Sequence, residues 1–594
     1  MSKGFVSSFR LMLVGAILIG CFFALFARLF QLHVVEQSRL SQWVQQGRQK
    51  VDQVEAPRGQ IRDRNGNLLA STRTVYTVGL DPHVFEADEP SKLHALARRL
   101  GISVEVIQAA AERRFRTPKH AGEPPRAVRW VKLAERVEMS AYQAAMALEV
   151  PGVYGNREYV RHYPDGPLAA HVLGFVNKEG TPSGGVESAL DFYLSGQNGW
   201  LESERDGRSR ELPQFRRRDV PSRSGLDVEL TLDGYVQHLA ERQLAEVAEA
   251  YDPIGATIIV SEAETGAILA LANYPSFDPN AFWTSPVEHF GNRACELVFE
   301  PGSTFKIVPA AAVLDAQLAD VNATFDCDQA VVPFEGRMLS LPEDYKSMGV
   351  LTLSEVVVLS SNRGAAQLGL LLGEDRLYQY ARDFGFGDRT GFGLGVETSG
   401  ILHPPRRWDG LTISRLPMGH AISASPLQIH YATSVIANGG LLMEPWLVRR
   451  VLDGEGETVV AFHPRVRHRV LSEQTARTMS RILARVTGPQ GTAREAGLEA
   501  FAVAGKTGTT QKIINGQYSR SHHIASFTGF FPAEAPEVVV SVFVDEPKLD
   551  GVGYGGAVAG PVFKDMAGLL AEYLDIRPSL DGEALMAWKG ALEQ

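Results

Sequence analysis

Three short motifs along the chain supply the residue types that serine-based acyl transfer requires. Ser303 and Lys306 form an S-x-x-K motif, an S-x-N motif begins at Ser360, and a K-T-G motif begins at Lys506. A serine hydroxyl is a weak nucleophile until a base removes its proton, and a neutral lysine can be that base. Each motif alone is common, but the ordered set predicts a nucleophile and a base in one site.

The residues around Ser303 predict the start of a buried helix. Pro301-Gly302 precedes the serine, and the apolar stretch 307–314 follows Lys306. A serine at a helix N-terminus lies where the backbone dipole favours developing negative charge. Lys306 is three residues further on the same helix face, so we expect it to reach the hydroxyl. Burial or a nearby positive charge, such as Lys506, is needed to keep this lysine neutral.

Pro309 is a local misfit in this predicted helix. A proline inside a regular helix removes a hydrogen bond and costs about 3 kcal/mol. The sequence therefore predicts either a kink just behind Ser303 or an irregular first turn.

The K-T-G motif predicts a strand at the edge of a sheet. An apolar stretch leads into Lys506, and Gly508 suits the close approach of a second backbone, such as an extended peptide substrate. Thr507 and Thr509 offer hydroxyl groups to a substrate carboxylate. The N–H groups of Ser303 and Thr509 are the candidates for an oxyanion hole, in which each donor contributes about 3–4 kcal/mol.

Each motif also has an ordinary structural interpretation. Ser303 alone is more often a helix cap than a nucleophile, Ser360-Ser361-Asn362 alone is a turn or cap, and K-T-G alone is a common loop sequence. Their occurrence together, in this order, favours the catalytic interpretation.

The composition is that of a globular protein with several domains. The chain has 594 residues, of which 44% are hydrophobic and 22% are charged, and its formal net charge is −10. A chain of this length favours two to four domains. The negative charge argues against a general nucleic-acid-binding protein.

Cysteine and histidine residues give little sign of a disulfide framework or a metal site. Three cysteines are too few for such a framework, although Cys295 and Cys327 could pair in an oxidising compartment. His522-His523 has no partner at the spacing of zinc ligands, so no metal site is predicted.

An apolar segment near the N-terminus predicts a membrane anchor. Residues 11–27 carry no charged side chain and would span about 25 Å as a helix, and the apolar residues up to Leu32 extend the span if Arg28 snorkels. A cleaved signal peptide is the alternative, but no small-residue cleavage site follows. Lys3 and Arg10 favour a cytoplasmic N-terminus, although basic residues beyond the segment weaken the asymmetry.

The chain after the anchor divides into two regions at about residue 225. The segment 28–50 predicts a helix that continues out of the membrane, Asn65-Gly66 predicts a hairpin, and 205–224 is polar enough to be a linker. From Leu226 onward, strand patterns lie at both ends of the region and helix patterns lie between them.

These patterns predict an α+β catalytic domain with an antiparallel sheet, flanking helices and a helical subdomain. Its first strands form a hairpin about Glu264-Thr265-Gly266, its last strands lie at 524–531 and 538–544, and a helix at 563–574 closes it.

At this point the chain resembles a class B penicillin-binding protein, a peptidoglycan D,D-transpeptidase. The three motifs are those of the penicillin-reactive serine acyl-transferases. The resemblance also rests on the following segments: Arg58-Gly59, Asp63-Arg64-Asn65-Gly66, Arg161 with Tyr163-Pro164, His171 with Gly174, Gly185-Val186-Glu187, Thr265-Gly266 with 268–270, 274–280, Glu300-Pro301-Gly302, Ala525-Ser526-Phe527 and Gly529-Phe530.

The resemblance implies a role for each motif residue. Ser303 would be acylated by the D-Ala-D-Ala end of a stem peptide, with Lys306 as general base, and β-lactams would acylate the same serine. Ser360 would relay protons to the leaving amine, and Asn362 would hold the substrate amide. Lys506, Thr507, Gly508 and Thr509 would complete the electrostatics and the carboxylate site. An amine of a neighbouring stem peptide would take the acyl group, and no cofactor is implied.

The resemblance also implies an architecture, a location and partners. It implies a tail at 1–10, a single transmembrane anchor at 11–32, an elongated α+β non-catalytic pedestal at 33–224, a transpeptidase domain at 225–577 and a C-terminal tail at 578–594. The catalytic domain would lie outside the inner (plasma) membrane. The compact chain is most similar to the division-specific type, which implies a polytopic glycosyltransferase of the shape-elongation-division-sporulation family and other division proteins as partners.

Several other functions share the motifs. The elongation-type transpeptidase is the main alternative within the family. A D,D-carboxypeptidase or a β-lactamase would transfer the acyl group to water, but the pedestal and anchor argue against both. A β-lactam sensor would need a cytoplasmic signalling part, and a catalytically silent division scaffold would not need the intact motifs.

Overall fold

The computed structural model divides the chain into two compact units. One unit comprises Met1–Pro57 and Gly196–Ser224, and the other comprises Arg58–Ser195 and Gly225–Gln594. The structure describes residues 8–39, 49–86, 89–116, 125–205, 211–212, 218–549 and 553–578, with Leu585 and Gly590. The predicted C-terminal tail at 578–594 therefore lies mostly outside the described residues, as does most of the tail at 1–10.

Helices are distributed through both units. The α-helices are Ser8–Phe30, Pro90–Leu100, Val104–Glu112, Met139–Met146, Ala170–Leu173, Gly185–Ala189, Asp191–Leu194, Gly234–Tyr251, Arg293–Glu296, Ile307–Asp315, Leu353–Val358, Asn362–Leu372, Glu374–Asp383, Thr412–Arg415, Pro426–Ala437, Glu473–Val486 and Gly555–Tyr573. The 3₁₀ segments are Pro279–Thr284, Val287–Phe290, Gly302–Lys306, Pro405–Arg407, Leu416–Met418 and Arg494–Ala496, and Gln31–Val35 is a π-helical segment.

The strands form three larger sheets and several hairpin-sized ribbons. The first unit has a sheet of Gln49–Val54, Gly199–Arg205, Glu211–Leu212 and Arg218–Val220. The second unit has a seven-stranded sheet (Thr458–Ala461, Val448–Leu452, Asp227–Leu230, Ile61–Arg62, Leu68–Leu80, Val131–Glu138 and Val153–His162) and a five-stranded sheet (Ile268–Tyr274, Gly255–Glu262, Val538–Asp545, Gln517–Phe531 and Ala504–Ile514). The ribbons pair Phe115–Arg116 with Arg126–Ala127, Phe175–Val176 with Pro182–Ser183, Thr324–Asp326 with Val350–Thr352, Val331–Phe334 with Arg337–Ser340, Ile401–Leu402 with Ile422–Ser423, and Leu441–Met443 with Val466–Arg469.

The N-terminal helix of the first unit fits the predicted anchor. Helix Ser8–Phe30 and the π-helical segment after it include the stretch Phe9–Val35, which is long and apolar enough to cross a membrane. None of its most apolar window is buried within the protein, so these side chains need an apolar environment outside it. The prediction of a helix over 28–50 is wrong at its end, because Gln49–Val54 pairs with Gly199–Arg205 as a strand.

The predicted linker at 205–224 also contains sheet structure. Arg218–Val220 and Glu211–Leu212 both pair antiparallel with Gly199–Arg205. The polar, arginine-rich composition suggested a loop, but pairing with a neighbouring strand overrides this local preference.

The five-stranded antiparallel sheet of the second unit confirms the predicted α+β architecture. Its central strand, Val538–Asp545, is buried along its whole length, as expected for a run of β-branched residues covered on both faces. Ala504–Ile514, which carries the K-T-G motif, is an edge strand and pairs with Gln517–Phe531. Helices Gly234–Tyr251 and Gly555–Tyr573 pack against the sheet and against each other.

In the sequence, the helical subdomain lies between the second strand of this sheet, Ile268–Tyr274, and the third, Ala504–Ile514. Helix Ile307–Asp315 packs against Asn362–Leu372, Glu374–Asp383 and Glu473–Val486, and its residues from Ile307 to Val313 are all buried. The motif residues Ser303 and Lys306 precede this helix directly, so a rigid core supports the turn that carries them.

The seven-stranded sheet joins the predicted pedestal and catalytic regions. Asp227–Leu230 pairs in parallel with Ile61–Arg62 and antiparallel with Val448–Leu452. The predicted Asn65-Gly66 hairpin is confirmed between Ile61–Arg62 and Leu68–Leu80, with Gly66 at a φ of +86°. The two predicted regions therefore share one sheet within the second unit.

One further prediction differs from the structure, and the pairing of two cysteines, which the sequence left open, is decided. The C-terminal helix begins at Gly555, not at Phe563, because burial of Val558 and Ala559 outweighs the unfavourable Pro561 inside the helix. Cys295 and Cys327 are both buried free thiols and do not pair.

Candidate active site

The turn that carries Ser303 joins a tight 3₁₀ segment to a buried helix. Gly302–Lys306 is the 3₁₀ segment, and the α-helix continues from Ile307. Of the two outcomes predicted for Pro309, a kink or an irregular first turn, the structure shows the irregular first turn. Pro309 is the third residue of the α-helix, where the N–H group has no partner within a regular helix anyway.

Ser303 and Lys306 lie on the same side of this turn, because side chains three residues apart eclipse each other in a 3₁₀ segment. Ser303 is partly exposed, whereas Lys306 is 1% exposed. Within the part of the chain that the structure describes, the Ser303 hydroxyl forms no hydrogen bond. The expected contact between the lysine and this hydroxyl is therefore not made, and the lysine is bound to the S-x-N segment.

Lys306 makes three hydrogen bonds to the S-x-N segment. Its Nζ donates to the Ser360 carbonyl oxygen at 2.5 Å, to Ser360 Oγ at 3.2 Å and to Asn362 Oδ1 at 2.7 Å. Ser360 has a φ of +61°, which is unfavourable for a residue with a Cβ. Ser361 then caps helix Asn362–Leu372 by accepting from the Gly364 N–H at 3.0 Å. The left-handed turn and the cap together direct Ser360 and Asn362 toward the lysine.

Lys506 approaches Ser360 from the edge strand. Its Nζ donates to Ser360 Oγ at 3.0 Å, and its side chain is 1% exposed. The amino groups of two lysines therefore meet at one serine hydroxyl. The structure thus brings together Lys306, Ser360, Asn362 and Lys506, which lie far apart in the sequence.

The burial of both lysines lowers their proton affinity. Burial lowers the pKa of Lys306 to about 7, while the negative charge of Asp344 opposes this shift. Burial and the positive charge of Lys306 hold the pKa of Lys506 well below its ordinary value. The sequence predicts that burial or a positive charge on Lys506 keeps Lys306 neutral, and burial is the dominant cause.

Asp344 is a site residue that sequence reasoning missed. Its carboxylate accepts a hydrogen bond from Ser361 Oγ at 2.7 Å and another from the Asn362 N–H. The carbonyl oxygen of the preceding Glu343 accepts from Asn362 Nδ2 at 2.8 Å. A lone aspartate in a loop carries no motif, so only the folded structure shows that this loop fixes the backbone N–H and the side-chain NH₂ group of Asn362.

Gly508 permits close packing between the edge strand and the Ser303 turn. A Cβ at this position would lie 2.4 Å from Ser526 Oγ and 3.0 Å from the Thr304 methyl group. The sequence predicts that the missing side chain admits a substrate backbone. The structure gives a second reason, since neighbouring side chains of the protein already fill that space.

The hydroxyl groups of Thr507 and Thr509 each have a partner. Thr507 is 8% exposed and lies 3.2 Å from the Thr492 hydroxyl, with either atom able to donate. Thr509 Oγ1 accepts from the Gly555 N–H at 2.9 Å, so its own proton remains available to a ligand. Thr492 and Gly555 are neighbours that the sequence analysis did not identify.

The geometry suits acyl transfer to and from a serine. A partly exposed hydroxyl lies on a rigid turn beside a buried lysine whose pKa is about 7, and a second lysine shares the relay serine. Within the described ranges, no group of three or more His, Cys, Asp or Glu side chains is placed to hold a metal ion.

Comparisons with known proteins agree with this chemistry. Residues 256–568 match the penicillin binding protein transpeptidase domain, and residues 53–230 match the penicillin-binding protein dimerisation domain. The chain is 33% identical over 511 residues to stage V sporulation protein D of Bacillus subtilis, which covers 86% of this chain and 77% of that protein. It is 29% identical over 582 residues to peptidoglycan D,D-transpeptidase FtsI of Escherichia coli K12, which covers 97% of this chain and 93% of that protein.

A solved structure resembles the chain over most of its length. It is the crystal structure of penicillin binding protein 3 from Mycobacterium tuberculosis in complex with aztreonam, which is 27% identical and has a TM-score of 0.67. The match covers 90% of this chain and 99% of that one.

Proposed function

This chain belongs to the class B penicillin-binding proteins, and from that premise we propose that it cross-links peptidoglycan as a serine D,D-transpeptidase. Ser303 is the nucleophile, the donor is a stem peptide that ends in D-Ala-D-Ala, and the acceptor is an amine of a neighbouring stem peptide. The observation that carries this assignment is the meeting of two buried lysines, Lys306 and Lys506, at Ser360 Oγ.

The first chemical step forms an ester on Ser303. Neutral Lys306 takes the hydroxyl proton while Oγ bonds to the carbonyl carbon of the penultimate D-Ala. The N–H groups of Ser303 and Thr509 stabilise the oxyanion that forms on that carbonyl. The C–N bond to the terminal D-Ala then breaks, and Ser360 Oγ relays a proton to the leaving amine.

The second step transfers the acyl group. The acceptor amine attacks the ester carbon and gives up a proton to the same relay, and Ser303 Oγ leaves with a proton restored. The product is an amide cross-link between two stem peptides. A β-lactam enters by the first step alone, because its opened ring stays attached and blocks the acceptor.

The substrate carboxylate binds beside the edge strand. Lys506 supplies positive charge, and the Thr509 hydroxyl supplies a donor that its bond from Gly555 leaves free. Thr507 joins them by turning its hydroxyl away from Thr492. Asn362 holds the substrate amide after exchanging its bond from Lys306.

Anchoring and partners extend this proposal. Stretch 11–32 anchors the chain in the inner membrane with a cytoplasmic N-terminus, a pedestal occupies 33–224, and a catalytic domain at 225–577 faces the cell wall. Alignment with FtsI over 97% of this chain and 93% of that protein supports the division-specific type. A polytopic glycosyltransferase of the shape-elongation-division-sporulation family, with other division proteins, would then act beside it.

Labelling with a fluorescent penicillin tests the acyl-enzyme. The full-length protein in detergent should be labelled covalently at Ser303, whereas Ser303→Ala should not. Ser399→Ala, at an exposed serine of the same domain, is the matched control and should be labelled normally. Equal labelling of Ser303→Ala would refute the assignment, and rapid release of the label would favour a β-lactamase.

Imaging tests the division assignment separately. A fluorescently tagged copy in growing cells should concentrate at the septum. A uniform lateral-wall signal with none at the septum would favour the elongation type and leave the acyl-enzyme assignment intact.

A further inference from the structure

Glu300 lies three residues before Ser303 and is bound to two other elements. Its side chain is only 10% exposed. Oε1 accepts from the Ala421 N–H at 2.9 Å, and Oε2 accepts from the Tyr518 hydroxyl at 3.0 Å. One carboxylate thus connects the nucleophile turn to a neighbouring loop and to a hairpin.

The neighbouring loop, 419–421, is packed tightly on the nucleophile turn. The Gly302 N–H donates to the Gly419 carbonyl oxygen at 3.1 Å, and a Cβ on Gly419 would lie 2.0 Å from the Gly302 oxygen. Ala421 has a φ of +61°, a left-handed conformation that is unfavourable for a residue with a Cβ. The hydrogen bond from its N–H to Glu300 helps to hold this strained residue.

The hairpin is the continuation of the K-T-G edge strand. Ala504–Ile514 turns at Asn515-Gly516 into Gln517–Phe531, and Tyr518 lies opposite Ile513. The Tyr518 hydroxyl also lies 3.0 Å from His420 Nδ1, in the same 419–421 loop. Through Tyr518, the hairpin is therefore bound both to Glu300, just before the nucleophile turn, and to His420 in the 419–421 loop.

We infer that Glu300 is a positioning residue for acylation, which holds the edge-strand hairpin at a fixed position relative to the Ser303 turn. The two proposed oxyanion donors lie on these two elements, Ser303 on the turn and Thr509 on the strand. A shift of the strand by a fraction of an ångström would misalign one donor. Glu300 needs only to accept hydrogen bonds for this role, and it takes no proton from the substrate. The inference rests on the proposed function of Ser303.

Glutamine and alanine substitutions separate positioning from proton transfer. Full-length Glu300→Gln keeps one amide oxygen. In the place of Oε1, which lies 2.9 Å from the Ala421 nitrogen and 3.2 Å from the Tyr518 hydroxyl, that oxygen can accept from both. The acylation rate constant of this variant by a β-lactam should therefore stay within about 3-fold of that of the unchanged protein. Glu300→Ala should lower that rate constant about 10- to 100-fold with little change in the dissociation constant of the first complex. Tyr518→Phe removes the bonds of the hairpin to Glu300 and His420 but leaves the bond from Ala421 to Glu300, so its rate constant should lie between those of the two Glu300 variants.

A second variant guards against simple loss of folding. Glu300→Ala combined with Ala421→Gly removes the strain at position 421, so it should recover melting temperature without recovering the acylation rate. Glu288→Ala, at an exposed glutamate, is the matched control and should change neither.

Two results would overturn the inference. An equal loss of acylation rate in Glu300→Gln and Glu300→Ala would show that the negative charge of Glu300 is needed, and not only its hydrogen bonds. Unchanged acylation rates in Glu300→Ala and Tyr518→Phe would show that these hydrogen bonds do not affect acylation. The proposed function fails separately, if Ser303→Ala is still labelled.

Discussion

At the scale of single residues, the site excludes water from two lysine side chains that ordinarily carry positive charge. Lys306 and Lys506 are each 1% exposed, and their nearest shared group is the neutral Ser360 hydroxyl. Burial disfavours the charged form of a lysine, so neutral amines become available near physiological pH. The protein therefore obtains a base from a side chain that in water is protonated until about pH 10.

The acylation rate should rise with pH through about 7. Only neutral Lys306 accepts the Ser303 proton, and the pKa of this lysine is lowered to about 7. Below that pH, the neutral fraction and the rate should fall about tenfold per pH unit. Acylation rate constants of the full-length protein with a fluorescent penicillin, measured from about pH 5.5 to 8.5, test this profile. A midpoint near 10 would mean that the lysine behaves as it does in water.

Replacing Asp344 should shift the fall of the acylation rate on the acidic side to lower pH. The carboxylate raises the pKa of Lys306 against the effect of burial, so Asp344→Asn should lower that pKa further. The variant should retain a larger fraction of its maximal acylation rate at acidic pH. Its maximal rate should fall, because the Asn362 backbone loses a charged acceptor. Glu343→Gln, at the exposed neighbouring residue, is the control, and an unchanged midpoint in Asp344→Asn would contradict the prediction.

At the scale of elements, the sequence predicted those features that depend on local chemistry. The Asn65-Gly66 hairpin, the hairpin about Glu264-Thr265-Gly266 and the apolar strand Val538–Asp545 were all found where the pattern placed them. The same Asn-Gly signal occurs at Asn515-Gly516, where the hairpin that extends the K-T-G strand to Ile514 turns.

Elements that depend on distant partners were not predictable in this way. Arg218–Val220 looks like a loop until Gly199–Arg205 lies beside it. Asp344 and Glu300 join the site only because loops far apart in sequence converge on Ser361 and Ala421. Motif spacing identified the residues proposed to do the chemistry. The residues that hold them in place could be identified only from the folded structure.

Removing the charge of Glu187 should unfold the second unit more easily. Glu187 is fully buried and accepts from Arg58 and Arg161, each at 2.6 Å. Glu187→Gln leaves two largely buried guanidinium groups without a counter-charge, which costs about 3–5 kcal/mol for a broken buried pair. Thermal melting of the full-length protein should therefore begin at a lower temperature. Glu135→Gln, in the exposed pair with Lys132, should not shift the melting curve, and equal curves for both variants would contradict the prediction.

At the scale of the whole molecule, the two halves of the five-stranded sheet are joined by a buried polar cluster. His430 Nε2 is hydrogen-bonded to Ser261 Oγ at 2.8 Å, and His430 Nδ1 is hydrogen-bonded to Ser541 Oγ at 2.9 Å. Ser541 Oγ is also hydrogen-bonded to Thr528 Oγ1 at 2.6 Å. These residues lie on three adjacent strands and one helix that are widely separated in sequence. The cluster is satisfied by neutral groups alone, so it fixes the packing only while the imidazole remains uncharged.

The stability of the folded chain should therefore fall as the solution becomes acidic. Burial lowers the pKa of His430 to about 3 and that of His171 to about 4, whereas both titrate near 6.5 when unfolded. Below pH 6.5 the unfolded chain binds protons that the folded chain does not, so the free energy of unfolding decreases as pH falls. Each histidine should contribute a loss of about 2 kcal/mol between pH 7 and pH 5.

Histidine variants isolate this effect from that of the carboxylates. His430→Gln keeps polar partners for the two serines but cannot titrate, so its melting temperature should fall less between pH 7 and pH 5 than that of the unchanged protein. His94→Gln, at an exposed histidine, should retain the full pH dependence. If His430→Gln and the unchanged protein lost the same number of degrees, the buried imidazole would not be the source of the acid sensitivity.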